Sequence, residues 1–221
     1  GCGMCAVKTS LSDIDQRTIK KILGGSKDYK NGIRSRIPVG FSHHFTKQDE
    51  KWMPTELKGS TFLNQHYKKA LKQIGTLGGG NHFIEIQKGS DGNIWLMIHS
   101  GSRNIGYQVA RHHNKVAIEL NKKLKPQVPK NWELAYLPLD SKEGQNYLAE
   151  MAYCVKFALA NRALMMDNVK KSVLEVYFDI EFEEMINIAH NYAAMEHHFG
   201  KTVMVHRKGA TSAYKDQLGI I

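Results

Sequence analysis

The sequence predicts an α+β fold, with mixed sheets, surrounding helices and one core spanning residues 1–221. Three observations carry this. Short runs alternate apolar and polar residues with the period of two that a half-buried strand requires. Longer segments repeat their apolar residues at helical spacing. The two kinds are interspersed without the regular strand–helix–strand rhythm of a parallel sheet. With 42% apolar and 24% charged residues, the chain has a globular rather than a disordered composition.

Residues 4–9 read as a short strand. Ser12 is the expected cap of a helix of about 12 residues, with Asp15 three positions on and Gly24-Gly25 as its stop. Residues 26–60 mix Arg34, Arg36, Pro38, Gly40, His43, His44 and Pro54, the composition of a long irregular excursion. Leu63, Tyr67, Ala70, Leu71 and Ile74 keep helical spacing, closed by Gly75. Another helix runs through Val109, Val116, Ala117, Leu120 and Leu124, after which Pro126, Pro129 and Pro138 break the chain. From Ser141 to Tyr177 a long helix is predicted, with Leu148, Met151, Ala152, Val155, Leu159 and Val169 on its buried stripe. Near the end, Ile186, Ile188, His190 and Tyr192 alternate as a strand, and so do Val203 and Val205.

The segment after Gly78-Gly79-Gly80 is the most informative. Residues 82–86 and 94–98 read as two strands joined by the turn residues Gly89-Ser90-Asp91-Gly92. A four-residue turn centred between Ser90 and Asp91 sets His82 directly opposite His99, with Cβ atoms about 5 Å apart. His190 ends a third strand-like run. Any one buried histidine is more often satisfied locally. Three together, two of them paired across a hairpin, point to a shared transition metal. Cys2, between two glycines, is a candidate soft ligand for the same cluster, and Cys5 reads as core packing. Ser100-Gly101-Ser102-Arg103 at a helix start has the chemistry of an anion cradle: free backbone N–H groups, two hydroxyls and a guanidinium. Arg207-Lys208-Gly209 adds a second basic pair.

Lys and Arg number 31 against 21 Asp and Glu, a net charge of +10. That surplus suits a polyanionic partner such as nucleic acid, and equally suits a basic solubilising surface. With eleven histidines around the basic segments, phosphate recognition becomes the better reading. No apolar run reaches the roughly 20 residues of a membrane span, and no signal-peptide pattern is visible. Three cysteines are too few for a disulfide framework, so a reducing, cytoplasmic location is expected.

Taken together, five segments resemble the RtcB family of RNA ligases. They are Gly1-Cys2-Gly3-Met4, the run from Gly75 to Ile86 that contains Asn81-His82-Phe83, His99-Ser100-Gly101-Ser102-Arg103, His190-Asn191-Tyr192-Ala193, and His206-Arg207-Lys208-Gly209-Ala210-Thr211. The resemblance implies an RtcB-like catalytic core with two manganese ions bound through Cys2, His82, His99 and His190. It implies a guanine nucleotide pocket involving Asn81, Phe83 and Glu85, and phosphate contacts from Ser100, Ser102, Arg103 and Lys208. The implied activity is GTP-dependent joining of RNA 3′-phosphate or 2′,3′-cyclic phosphate ends to 5′-hydroxyl ends, through a histidine–GMP intermediate.

Two family features have no match in these 221 residues. One is a metal-binding aspartate two residues before the position of Gly1. The other is the His-Gly-Ala-Gly-Arg segment that carries the nucleophilic histidine, which the resemblance places beyond Ile221. The chain is therefore expected to be truncated at both ends and not to ligate RNA by itself. Two other functions remain open at this point: a manganese-dependent phosphoesterase, and a non-catalytic module that binds RNA ends.

Overall fold

The computed structural model describes residues 1–55, 60–124 and 129–220. Pro126, and residues 56–59 of the expected irregular excursion, lie outside them. Strand β1 (Cys2–Lys8) leads to α1 (Gln16–Leu23), the one-turn α2 (Ile33–Arg36) and α3 (Thr61–Gln73). A hairpin follows, β2 (Phe83–Lys88) and β3 (Ile94–Gly101), then α4 (Arg103–Leu124) and the long α5 (Lys142–Leu174). The described part closes with β4 (Ile186–Ala189), β5 (Asn191–His198) and β6 (Lys201–Lys208). The α+β class predicted from the sequence is what forms, and the named strands pair antiparallel.

Four strands make one sheet in the order β2-β3-β1-β4, and β5 and β6 form a separate two-stranded ribbon. Strand alternation gives the sheet two different faces. Cys5, Val7, Leu96 and Ile98 point to one side and pack on Met165, Met166, Val169 and Val173 of α5. The other side carries Cys2, Met4, Phe83, Glu85, Met97 and His99, the last directly across from both Met4 and Phe83.

Helix α5 serves two cores. It supplies Tyr153, Cys154, Phe157 and Leu164 to a cluster with Leu63, Leu71 and Ile74 of α3 and Ile105 and Val109 of α4. Its C-terminal half packs under the sheet. At the seam sit Asn161 and Arg162, both fully buried. Asn161 Oδ1 accepts from the Gly75 and Thr76 amides at 2.7 and 3.1 Å, and its Nδ2 donates to Thr76 O, Ser100 Oγ and Gly101 O. Arg162 donates to Asn187 Oδ1, Ser100 O and Ile188 O at 2.9–3.1 Å. Gly3 completes the seam: a Cβ there would lie 2.0 Å from Ile188 O and 2.9 Å from Arg162 Nη2, so only glycine lets β4 and the guanidinium approach.

Several sequence expectations are corrected. Asp15, not Ser12, caps α1, because its carboxylate accepts from the Arg17 and Thr18 amides and from the Thr18 hydroxyl. The helix is eight residues rather than twelve. Of the stripe expected on α5, only Val169 is buried, and Ala152 is exposed. The buried face runs instead through Tyr153, Cys154, Phe157, Asn161 and Arg162, a mixture of apolar, small and polar residues that aliphatic spacing does not select. The strand expected through 186–192 divides at His190: β4 pairs with β1, and β5 with β6.

The hairpin register also differs. Gly92 adopts φ +83, and Gly89 N donates to Asn93 O at 2.8 Å, closing a three-residue turn around Asp91. The pairing therefore shifts by one residue, and Phe83 rather than His82 faces His99.

Asn161→Ala should lower unfolding free energy by about 3 kcal/mol, since it orphans two buried amides. Ala152→Ser should stay within about 0.5 kcal/mol. Urea denaturation of both variants checks this, with a lower midpoint and unchanged slope expected for the first.

Candidate metal centre and its surroundings

Three of the predicted donors meet because of the strand order. Cys2 pairs with Gly101 on β3, and Gly3 with Ala189 on β4. His99 is thus a diagonal, same-face neighbour of Cys2, while His190 follows directly after Ala189. His190 N donates to Cys2 O at 3.0 Å, and Ala210 N donates to His190 O at 3.0 Å, so its backbone is held on both sides. Cys2 Sγ lies 2.9 Å from His190 Nε2, and His99 Nε2 lies 3.1 Å from the same nitrogen. All three donor atoms fall within 4.8 Å of one another.

The protonation pattern follows from their other partners. His99 Nδ1 is 2.8 Å from the Asn81 carbonyl, which can only accept. Nδ1 therefore donates to that carbonyl, and Nε2 is the nitrogen aimed into the cluster. Asn191 Nδ2 donates to Cys2 Sγ at 3.1 Å, and Asn191 Oδ1 accepts from Gly209 N at 2.7 Å. Burial holds the Cys2 thiol above its ordinary value, against the opposing pull of Arg162 and Lys208. Burial likewise holds His190 below the usual histidine range, reinforced by His99 and Arg162. One sulfur and two imidazole nitrogens converging in this way are compatible with a transition-metal cation; by donor type alone they suit zinc, iron or copper more than manganese, which prefers oxygen donors.

His82 sits beside this group rather than in it. Its ring centroid is 5.3 Å from that of His99, edge-on, and its buried Nδ1 makes no hydrogen bond. Because His82 precedes β2, its ring reaches His99 without being paired opposite it. Burial, then repulsion from His99 and Arg103, lowers its pKa. The turn before it must be glycine: at Gly78 (φ +93) a Cβ would lie 2.0 Å from Arg103 Nη1 and 2.7 Å from His82 Nδ1. Phe83 lays its ring 5.5 Å from His99. Glu85 shares that face and accepts from Gln87 Nε2. Asn81 is exposed, and its backbone carbonyl is what touches His99. Lys208 is exposed and pairs across the ribbon with Asn191, which places its charge near Cys2.

The anion cradle expected of Ser100 and Ser102 is not built from their hydroxyls. Ser100 Oγ is fully buried, donating to Leu77 O and accepting from Asn161. Ser102 Oγ accepts from Gly1 N at 2.9 Å. Both hydroxyls tie the strand ends together instead. Arg103, at φ +54, donates from Nε to Thr76 Oγ1 and from Nη2 to Gly40 O, both at 2.8 Å. A cavity of about 620 Å³ lies elsewhere, between α4, residues 134–139, α5 and β6, and none of the candidate residues lines it.

The family profile described as tRNA-splicing ligase RtcB matches residues 53–221. The chain belongs to the RtcB family. It is 32% identical over 244 residues to the RNA-splicing ligase RtcB of Escherichia coli K12, covering 100% of this chain and 58% of that protein. It is 35% identical over 262 residues to the tRNA-splicing ligase RtcB of Methanococcus maripaludis, covering 96% and 54%. The chain thus spans little more than half the length of either RtcB relative.

Three residues that support this cluster escaped the sequence reading in that role: Asn161, Arg162 and Asn191. The first two had a signal, an Asn-Arg pair inside an otherwise apolar helical stretch. Arg162 has its pKa pulled down by burial to about 10, so it remains a cation below the sheet at neutral pH.

Asn191→Ala removes the amide from Cys2 Sγ and should weaken metal binding by about 10–100-fold. Titration with Co²⁺, followed by the thiolate-to-metal absorption band, checks this. The band should disappear in Cys2→Ser.

Proposed function

We propose that the protein is a GTP- and manganese-dependent RNA ligase. It joins RNA 3′-phosphate or 2′,3′-cyclic phosphate ends to 5′-hydroxyl ends in tRNA splicing or RNA repair, through a histidine–GMP intermediate. The observation that carries the reading is the convergence of Cys2, His99 and His190 at the ends of β1, β3 and β4, in a chain of the RtcB family. The names of the relatives, RNA-splicing and tRNA-splicing ligase, support the same substrate class.

In this reading Cys2, His99 and His190 hold manganese, with His82 the fourth donor. A metal held by these residues would supply Lewis-acid chemistry, offsetting charge that gathers on phosphoryl oxygens. The other residues bind and orient. Lys208 meets a phosphate from the exposed side of the cluster, where its charge is not shared with an acid partner in the ribbon. Arg103 fixes the Gly78 turn and adds positive potential at His82. Phe83 offers an apolar wall, and the Glu85 carboxylate accepts from the N–H groups that distinguish guanine. The net charge of +10 draws the polyanion in. The nucleophilic histidine belongs to the His-Gly-Ala-Gly-Arg segment implied by the resemblance, which these 221 residues do not contain.

The test uses the intact gene product and RNA ends bearing 3′-phosphate and 5′-hydroxyl. Joined RNA should form only with both GTP and Mn²⁺, and labelled GTP should leave acid-labile, base-stable label on the protein. His190→Ala should reduce joining by more than about a hundredfold. Lys208→Ala should lower the salt dependence of RNA binding by roughly one phosphate contact, about 0.7 in slope for a single strand. Phosphate release without GTP would instead mark a phosphoesterase, and binding without turnover a non-catalytic module.

A further inference from the structure

Residues 39–48 cross the C-terminal end of α3 as a loop whose backbone is anchored along its length. Gly40 N donates to Gly78 O at 2.8 Å, His44 N to Lys72 O at 2.9 Å, and Gln48 N to Leu71 O at 2.9 Å. Leu77 N donates back to Pro38 O at 3.0 Å. Side chains add further ties: Arg103 Nη2 to Gly40 O at 2.8 Å, and Gln73 Nε2 to His43 Nε2 at 2.7 Å. A loop held this firmly has its side-chain directions set. Even so, Phe41 is 100% exposed, Phe45 99% and Val39 56%. Two phenyl rings kept wholly in water on a fixed backbone gain nothing for this fold.

Their surroundings are basic. Lys47, Lys69 and Lys72 are exposed on the loop and on the facing side of α3. Lys69, Arg103 and Lys72 all act on His43, adding to the burial that lowers its pKa. The nearby acids are engaged: Asp49 pairs with Lys51 at 3.2 Å, and Glu50 interacts with Tyr67.

The loop also adjoins the cluster. Arg103 bonds Gly40 on one side and lies against Gly78 and His82 on the other. A Cβ on Gly79 would come 3.7 Å from Gly40 Cα, so the two backbones touch with no side chain between them. From there the exposed residues Gly79, Gly80 and Asn81 lead to the Asn81 carbonyl on His99.

We propose that the 39–45 loop is a stacking platform for unpaired nucleotides of the RNA, beside the site where the ends are joined. Phe41 and Phe45 offer ring faces to bases, and Lys47, Lys69 and Lys72 take the flanking phosphates. Exposed rings interleaved with cations suit single strands, whose base faces are open, and not a duplex, whose bases are stacked on each other. This inference rests on the RNA reading above.

The test measures binding of a short, fluorescein-labelled single-stranded RNA to the intact gene product across a salt series. Phe41→Ala/Phe45→Ala should weaken binding about tenfold or more while leaving the salt slope unchanged. Because both rings are exposed, folding should not suffer. Phe41→Trp/Phe45→Trp should keep wild-type affinity, since indole stacks, whereas Phe41→Leu/Phe45→Leu should not. Unchanged affinity in the alanine variant, with the wild type binding normally, overturns the platform and leaves the ligase reading intact. Full rescue by leucine also overturns it, marking an apolar contact with protein rather than a stack. Failure of the wild type to bind RNA overturns the ligase reading itself, and the platform with it.

Discussion

Everything near the cluster depends on two adjacent side chains beneath the sheet, Asn161 and Arg162. They lie where one helix passes from the α3–α4 core to the sheet core. Asn161 fastens the Gly75-Thr76 turn to the end of β3, and Arg162 fastens the end of β3 to β4. Their partners are mainly main-chain groups at strand ends and turns, which the sheet ladder leaves unpaired and which burial would make costly without them. The backbone positions of His99 and His190, and the turn leading to His82, are consequences of that satisfaction.

The same geometry sets the electrostatics. A guanidinium below the sheet and a lysine above it flank Cys2, and both favour the thiolate against the opposing effect of burial. The His82 and His190 imidazoles are pushed by burial toward the neutral form that carries a lone pair. Thiolate and neutral imidazole are the forms in which these groups act as ligands. Burial thus favours the donor state of the His82 and His190 rings, while at the sulfur it outweighs the neighbouring cations and holds the thiol pKa above its ordinary value.

Much of this was legible in the sequence, for identifiable reasons. Helices α3 and α4 show their periodicity openly, and the Gly89–Gly92 turn announces the hairpin. The exact register was not legible, because a glycine at positive φ lets the turn close on three residues or four, and composition does not choose between them. His82 nevertheless reaches His99, since it stands outside the ladder where register no longer directs its side chain. Ser100 and Ser102 looked like anion ligands because small hydroxyl residues before a helix usually are available; here neighbouring strand ends claim them first. Asn161 and Arg162 were hidden for the opposite reason. Polar residues in a helical repeat normally mark the wet face, and only the fold shows that this one faces inward.

The three converging donors come from strands far apart in the chain: Cys2 and His190 are 188 residues apart, and His99 and His190 are 91. No local segment contains even two of them, so a partly folded chain presents isolated weak ligands rather than a site. Loop closure must be completed across nearly the whole chain before the cluster exists. A cation that binds it therefore acts on the finished fold alone, and its binding energy is drawn wholly into the native state by mass action. In that sense metal loading of the cluster would be a checkpoint on assembly, reporting that β1, β3 and β4 have closed together.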